Sequence, residues 1–267
     1  MLLSAVVTGA APAWVGTRLT QPQHRATVIH AGSDAVYLRS HDDVIGVLSR
    51  HATPVPCAVA TRLDSLDGLS GQGRLPLVGD DVTIGSGGID FEGSQVRVGR
   101  YVDFAMPAFD PAQALRMRAR LADAAAGLPR PDELSAEVLA SLRTRPAGAL
   151  MRTLGQGSGL TPFGDDVVCA VMATLIAAAD PCAAALGEQA VALAPERTTA
   201  LSATLLGRAA QGDVLPAFAA VVRAIADQPD QAAASTTRLL RTGHTSGAGM
   251  LLGLELALEH ITTRSCP

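Results

Sequence analysis

Three glycine-rich segments in the second half of the chain gather the residue types that can do chemistry. The first runs from Gly155 to Asp166 and reads GQGSGLTPFGDD. Its alternating glycines, Gly155, Gly157 and Gly159, let backbone N–H groups approach a ligand or another chain closely. Thr161-Pro162 has the form of an N-cap followed by proline at the first helical position. A glycine-rich loop entering a helix N-terminus is a ready anion site, because free N–H groups and the helix dipole point the same way. Asp165 and Asp166 in the first turn suit the dipole but repel a bare anion unless a metal ion or an arginine intervenes. The plainer reading is a tight turn followed by a charged helix start.

The second segment, ERTTALSATLLGRAAQGD, runs from Glu196 to Asp213. Its apolar spacing predicts a helix over 198–210 with Arg197 at its start. A cation there opposes the dipole and therefore needs a partner, either an internal carboxylate or an anionic ligand. Arg208, mid-helix near Asp213, reads as solvated or salt-bridged. The third segment, TGHTSGAGMLLGLELALEH, spans Thr242 to His260. It places His244 and the hydroxyls of Thr245 and Ser246 in the mouth of a helix that either hydroxyl can cap. His244 can act as a general acid or base, the usual role of an imidazole in catalysis, or serve structurally as loop histidines often do. Gly249 and Gly253, four apart, most simply allow another helix to pack closely.

What the chain lacks removes other mechanisms. All 21 of its basic residues are arginine, and it contains neither lysine nor asparagine. There is thus no P-loop lysine, no Schiff base, no covalently held pyridoxal phosphate and no N-glycosylation acceptor. The histidines show no H-x-x-x-H or H-E-x-x-H spacing, so no zinc site is expected, and no G-x-S-x-G elbow marks a hydrolase. A net charge of -4 and only eight aromatic residues argue against nucleic acid as partner. None of the four cysteines forms a C-x-x-C pair, which fits a reducing, cytoplasmic setting. The apolar start MLLSAVVTGAAPAW has no arginine before it, so no signal peptide is expected. The apolar run 167–179 is too short to span a bilayer, so no membrane association is expected either.

The elements that must position these residues divide near residue 105. Before it, short runs rich in valine, isoleucine and threonine alternate with turn clusters such as Gly85-Ser86-Gly87-Gly88. ATVIH, AVYLR, VIGVLS, CAVATRL and QVRVG are the clearest strands, and they suggest a small mixed or barrel-like sheet. A short helix is expected over 2–14. Beyond Met106-Pro107 the chain is alanine-rich and helical, with helices predicted in 112–126, 133–143 (capped by Asp132), 165–179, 198–210, 215–226, 232–241 and 246–260. The expected fold class is α+β, with a β-rich domain over 1–105 and a helical domain over 106–267 that carries all three motifs.

Taken together and in this order, GQGSGLTPFGDD, RTTALSATLLGRAAQG and TGHTSGAGMLLGL closely resemble the signature blocks of the DUF2877 family, which includes the AllH subunit of bacterial oxamate carbamoyltransferase. The resemblance is strongest over residues 150–256. It implies one component of a three-part enzyme of allantoin catabolism that joins oxamate and carbamoyl phosphate, with an FdrA-like subunit and a DUF1116 subunit as partners. The family's first block usually reads GLGPGLTPSGDD. Here Gln156, Ser158 and Phe163 depart from it, and Phe163 removes a hydroxyl. The implied chemistry suits the residues present: the amides of Gly155, Gly157 and Gly159, the hydroxyls of Thr161, Thr245 and Ser246, and Arg197 can hold an anionic substrate, carbamoyl phosphate or an oxamate-like acid. His244 can move or orient a proton, while Asp165 and Asp166 can orient Arg197 or hold a cation such as Mg²⁺. The alternative is a non-catalytic scaffold or metabolite-binding subunit in which the three motifs are helix-packing joints.

Overall fold

In a computed structural model, which describes residues 5–70, 74–128 and 131–264, the chain forms two compact units, Met1–Asp103 and Phe104–Pro267. The fold class is α+β, with strands confined to the first unit and the long helices to the second.

The first unit is an eight-stranded closed barrel: β1 (Ala5–Ala11), β2 (His24–Ala31), β3 (Ala35–Ser40), β4 (Asp43–Leu48), β5 (Ala58–Ala60), β6 (Asp81–Gly85), β7 (Gly88–Phe91) and β8 (Ser94–Tyr101), in the spatial order β1-β5-β4-β3-β2-β6-β7-β8. Closure leaves no free edge. Most neighbours are antiparallel, while β1 with β8 and β4 with β5 run parallel. Side chains such as Leu38, Ile45, Val59, Ile84 and Val96 fill the interior. β6 and β7 meet through Ser86 and Gly87, both at positive φ, which is the turn that matches the twist of a tight hairpin. The expected helix over 2–14 is instead β1 over its described part, followed by α1 (Ala13–Leu19). The run Val6-Val7-Thr8 favours an extended chain. Gly9 lets β5 approach, since a Cβ there would lie 2.7 Å from the Ala60 carbonyl oxygen. Pro12 then separates strand from helix.

The second unit is built from α2 (Ala114–Ala124), α3 (Ala136–Thr144), α4 (Pro146–Thr153), α5 (Phe163–Ala177), α6 (Ala183–Arg197), α7 (Ala200–Ala209), α8 (Pro216–Asp227), α9 (Ala232–Leu240) and α10 (Ser246–Arg264). α5 is its axis, buried at almost every position from Phe163 to Ala177. α10 lies along α5 because of the two glycines four apart. A Cβ at Gly249 would stand 2.9 Å from the Asp166 Cβ, and one at Gly253 would stand 2.4 Å from the Val167 carbonyl oxygen. α5 ends in a Schellman closure, Asp180 N–H to Leu175 O and Ala179 N–H to Ile176 O, with Ala179 rather than glycine at positive φ. α3 is capped by Ser135, whose hydroxyl accepts from Val138 N–H, and not by Asp132. α4 and α6 fall outside the helices expected from the sequence. Arg208 is salt-bridged to Asp213 at 2.9 Å. No helix among the described residues is long and apolar enough to cross a membrane.

Candidate functional site

The loop between α4 and α5 turns through three glycines at positive φ, Gly155, Gly157 and Gly159. Two of them are demanded by close approach as well as by φ. A Cβ at Gly155 would lie 2.1 Å from the Arg197 carbonyl oxygen, and one at Gly157 would lie 2.7 Å from Phe163 N. At Gly159 only the φ requires glycine. The loop is exposed from Gln156 to Leu160, and among the described residues the N–H groups of Gly157, Ser158 and Gly159 donate to no protein acceptor.

Asp165 fastens that loop to the next helix pair. Its Oδ1 accepts from Gly155 N–H at 2.8 Å, and its Oδ2 accepts from the Ser202 hydroxyl at 2.7 Å and from the Thr198 hydroxyl. Thr199 caps α7 by accepting from Ser202 N–H, and its own hydroxyl donates to Leu160 O at 2.6 Å. Burial raises the Asp165 carboxyl above its ordinary range, and the three donors offset only part of that rise. On the other side of the loop the Thr161 and Ser246 hydroxyls lie 3.1 Å apart. Thr161 therefore does not cap α5. Pro162 holds the cap position, and no side chain caps that helix.

Asp166 is the electrostatic anomaly. Only 4 % of it is exposed, and its Oδ2 is buried without a hydrogen-bond partner. Burial lifts its pKa to about 8, the Ser246 hydroxyl draws it down, and the neighbouring Asp165 charge raises it again. This environment favours the protonated carboxyl over the carboxylate. One turn further along, burial together with Asp166 and Asp165 keeps the Cys169 thiol protonated. The pair does not fit Mg²⁺, which needs several accessible oxygen ligands. Asp165 already accepts three internal donors, and Asp166 is buried.

The three segments therefore meet around the N-terminus of α5. Gly155, Thr161, Asp165, Asp166 and Ser246 come together there, with Gly157 and Gly159 on the exposed loop. Thr198 and Ser202 join the site as partners of Asp165 that no motif spacing announces, although the hydroxyl-rich start of RTTALSA carries the signal.

Arg197 stands differently from the expectation. It is the last residue of α6, where the dipole favours a cation, and not the first of α7. Its side chain is exposed and donates to Met151 O at 2.5 Å, so Asp165 does not orient it. Among the described residues no carboxylate pairs with it. His244 is exposed in the turn before α10 and touches none of these groups by hydrogen bond. Thr245 is half-buried, and its carbonyl accepts from Gly249 N–H at 2.9 Å.

No curated protein and no solved structure matches the chain. The family comparison does find a match, and it falls on the segment that holds all three motifs. Residues 153–258, under half of the chain, match the family of the oxamate carbamoyltransferase subunit AllH.

Proposed function

We propose that this chain is a subunit of an oxamate carbamoyltransferase-type complex and that its glycine loop binds the anionic substrate. The observation that carries the reading is the exposed run Gly157-Ser158-Gly159, whose three N–H groups have no protein acceptor. It lies inside the segment that matches the AllH family, which also holds an exposed arginine, Arg197, whose side chain donates to Met151 O. With no lysine in the chain, loop amides, hydroxyls and a guanidinium are the donors left for a phosphate or a carboxylate.

In transfer from carbamoyl phosphate to the amide nitrogen of an oxamate-like acid, the acceptor nitrogen forms a bond to the carbamoyl carbon and the bond from that carbon to the phosphate oxygen breaks. Charge grows on the departing phosphate, where the amides of Gly157 and Gly159, the Thr161, Thr245 and Ser246 hydroxyls and Arg197 would hold it. The nitrogen sheds a proton, which His244 would accept. Asp165 and Gly155 act through the loop, by fixing its shape. FdrA-like and DUF1116 subunits would complete the enzyme.

One observation favours the scaffold reading instead: Asp165, the most engaged polar group in the motifs, makes only internal contacts. Activity of the assembled complex separates the two. Arg197→Ala and His244→Ala replace exposed side chains, so both variants should fold and assemble. Each is expected to lose turnover by about 100-fold or more, the usual loss when a charge-holding or proton-transfer group is removed. Assembled variants that turn over normally would establish the scaffold reading.

A further inference from the structure

The far end of α5 carries a second cluster that the function proposed above does not use. Asp180 and Cys182 sit on the short link into α6, and His260 projects from the last turns of α10. One ligand atom from each, a carboxylate oxygen, the thiol sulfur and a ring nitrogen, lies within 4.8 Å of the other two. His260 is buried, and Asp180 and Cys182 are half-buried. The link is held in place by the closure at Ala179 and by Cys182 N–H donating to Asp180 Oδ1 at 2.8 Å, which keeps both side chains on one turn. The run of α5 from Asp165 to its end at Ala177 puts about 18 Å of helix between Asp165 and this cluster, so the two sites are separate.

We propose that Asp180, Cys182 and His260 form a binding site for a zinc-class divalent cation. Thiolate, imidazole and carboxylate together select a borderline metal over Mg²⁺ or Ca²⁺, which take oxygen ligands. Tetrahedral zinc with bonds of about 2.0–2.3 Å sets its ligand atoms about 3.3–3.8 Å apart. The ligand atoms here lie within 4.8 Å of one another, and side-chain rotation would have to draw them in to that value. A thiolate and a carboxylate supply two negative charges, which balance the ion, and the neutral imidazole completes three ligands with the fourth position left for water. Binding expels the Cys182 proton, so affinity rises with pH. The metal would tie the link before α6 to the end of α10, closing the α5–α10 pair at the end away from the glycine contacts. Sequence spacing could not announce the site, because its ligands come from positions 180, 182 and 260.

The test uses the full-length chain stripped of metal. Zinc is titrated in against a chromophoric chelator, and cobalt(II) is used as a spectroscopic substitute. The expected result is one equivalent of zinc, a thiolate-to-cobalt charge-transfer band and a metal-dependent rise in Tm. Cys182→Ser should abolish the band, and both Cys182→Ser and Asp180→Asn should weaken zinc binding at least about tenfold. Asn keeps an acceptor for Cys182 N–H, so the Asp180 variant preserves the turn. His260→Ala opens a buried cavity, and the reading therefore rests on the other two variants. A wild-type chain that takes up no zinc overturns the proposal, as does one whose zinc affinity and cobalt band survive Cys182→Ser.

Discussion

Asp165→Ala is expected to lower the stability of the helical unit by about 3 kcal/mol, read as a fall in the denaturant midpoint. The change removes the acceptor of three donors, Gly155 N–H and the Thr198 and Ser202 hydroxyls. A buried donor left unsatisfied costs about 1–3 kcal/mol. Three such donors would exceed the estimate, but two effects reduce it. The half-exposed Gly155 and Thr198 can turn to water, and the variant no longer bears the desolvation that pushes the Asp165 carboxyl up. The loop should loosen more than the rest of the unit, with faster amide exchange at Gly155 than in the middle of α5. Asp165→Asn should fall between the two, since its amide oxygen can still accept while its NH₂ faces a donor. A midpoint unchanged in Asp165→Ala would mean that the loop is held by something other than this carboxylate.

The second large effect is a pH dependence centred on Asp166. Its folded pKa, about 8, lies above the ordinary aspartate value of 3.8. The folded chain therefore holds a proton that the unfolded chain has released. Stability falls as pH rises from the unfolded value toward the folded one, and it levels off above it. At 1.36 kcal/mol per pH unit, the stretch from pH 5 to pH 7 alone costs about 3 kcal/mol. Asp166→Asn keeps the shape and removes the charge, so its stability should stay nearly level across that range and exceed that of the wild type at pH 8. Denaturation midpoints of the two proteins at pH 5, 6, 7 and 8 check this. Parallel curves would show that Asp166 is not the titrating group.

Much of the architecture was legible in the sequence because its periods are clean. β2, β3, β4, β5 and β8 lie within runs rich in valine, isoleucine and alanine between turn residues, and Gly85-Ser86-Gly87-Gly88 reads as a turn, while β6 and β7 on either side of it carry no such clear run. β1 was misread because a short run of apolar residues fits a helical period as readily as a strand until its pairing is known. α6 was missed because its alanines give it no strongly apolar face, and because Pro195 in its last turn reads as a break. That omission displaced Arg197 by a whole element. The residue taken for the start of one helix is the end of the preceding one, and the dipole argument changes sign with it. Within the site, the glycines, hydroxyls and aspartates were recognisable from type and spacing. The partnership of Asp165 with Thr198 and Ser202 was not, because it joins residues more than thirty positions apart.

The account rests on anion binding by the glycine loop, and amide chemical shifts at that loop test it most directly. Isotopically labelled chain, assembled with unlabelled partner subunits, would be titrated with carbamoyl phosphate and, separately, with inorganic phosphate. The expected result is a saturable shift concentrated at Gly157, Ser158 and Gly159, weakened at least about tenfold in Arg197→Ala by loss of a charge-assisted contact. Saturation of the complex with these three amides unmoved would contradict it, and would leave the three motifs as packing joints.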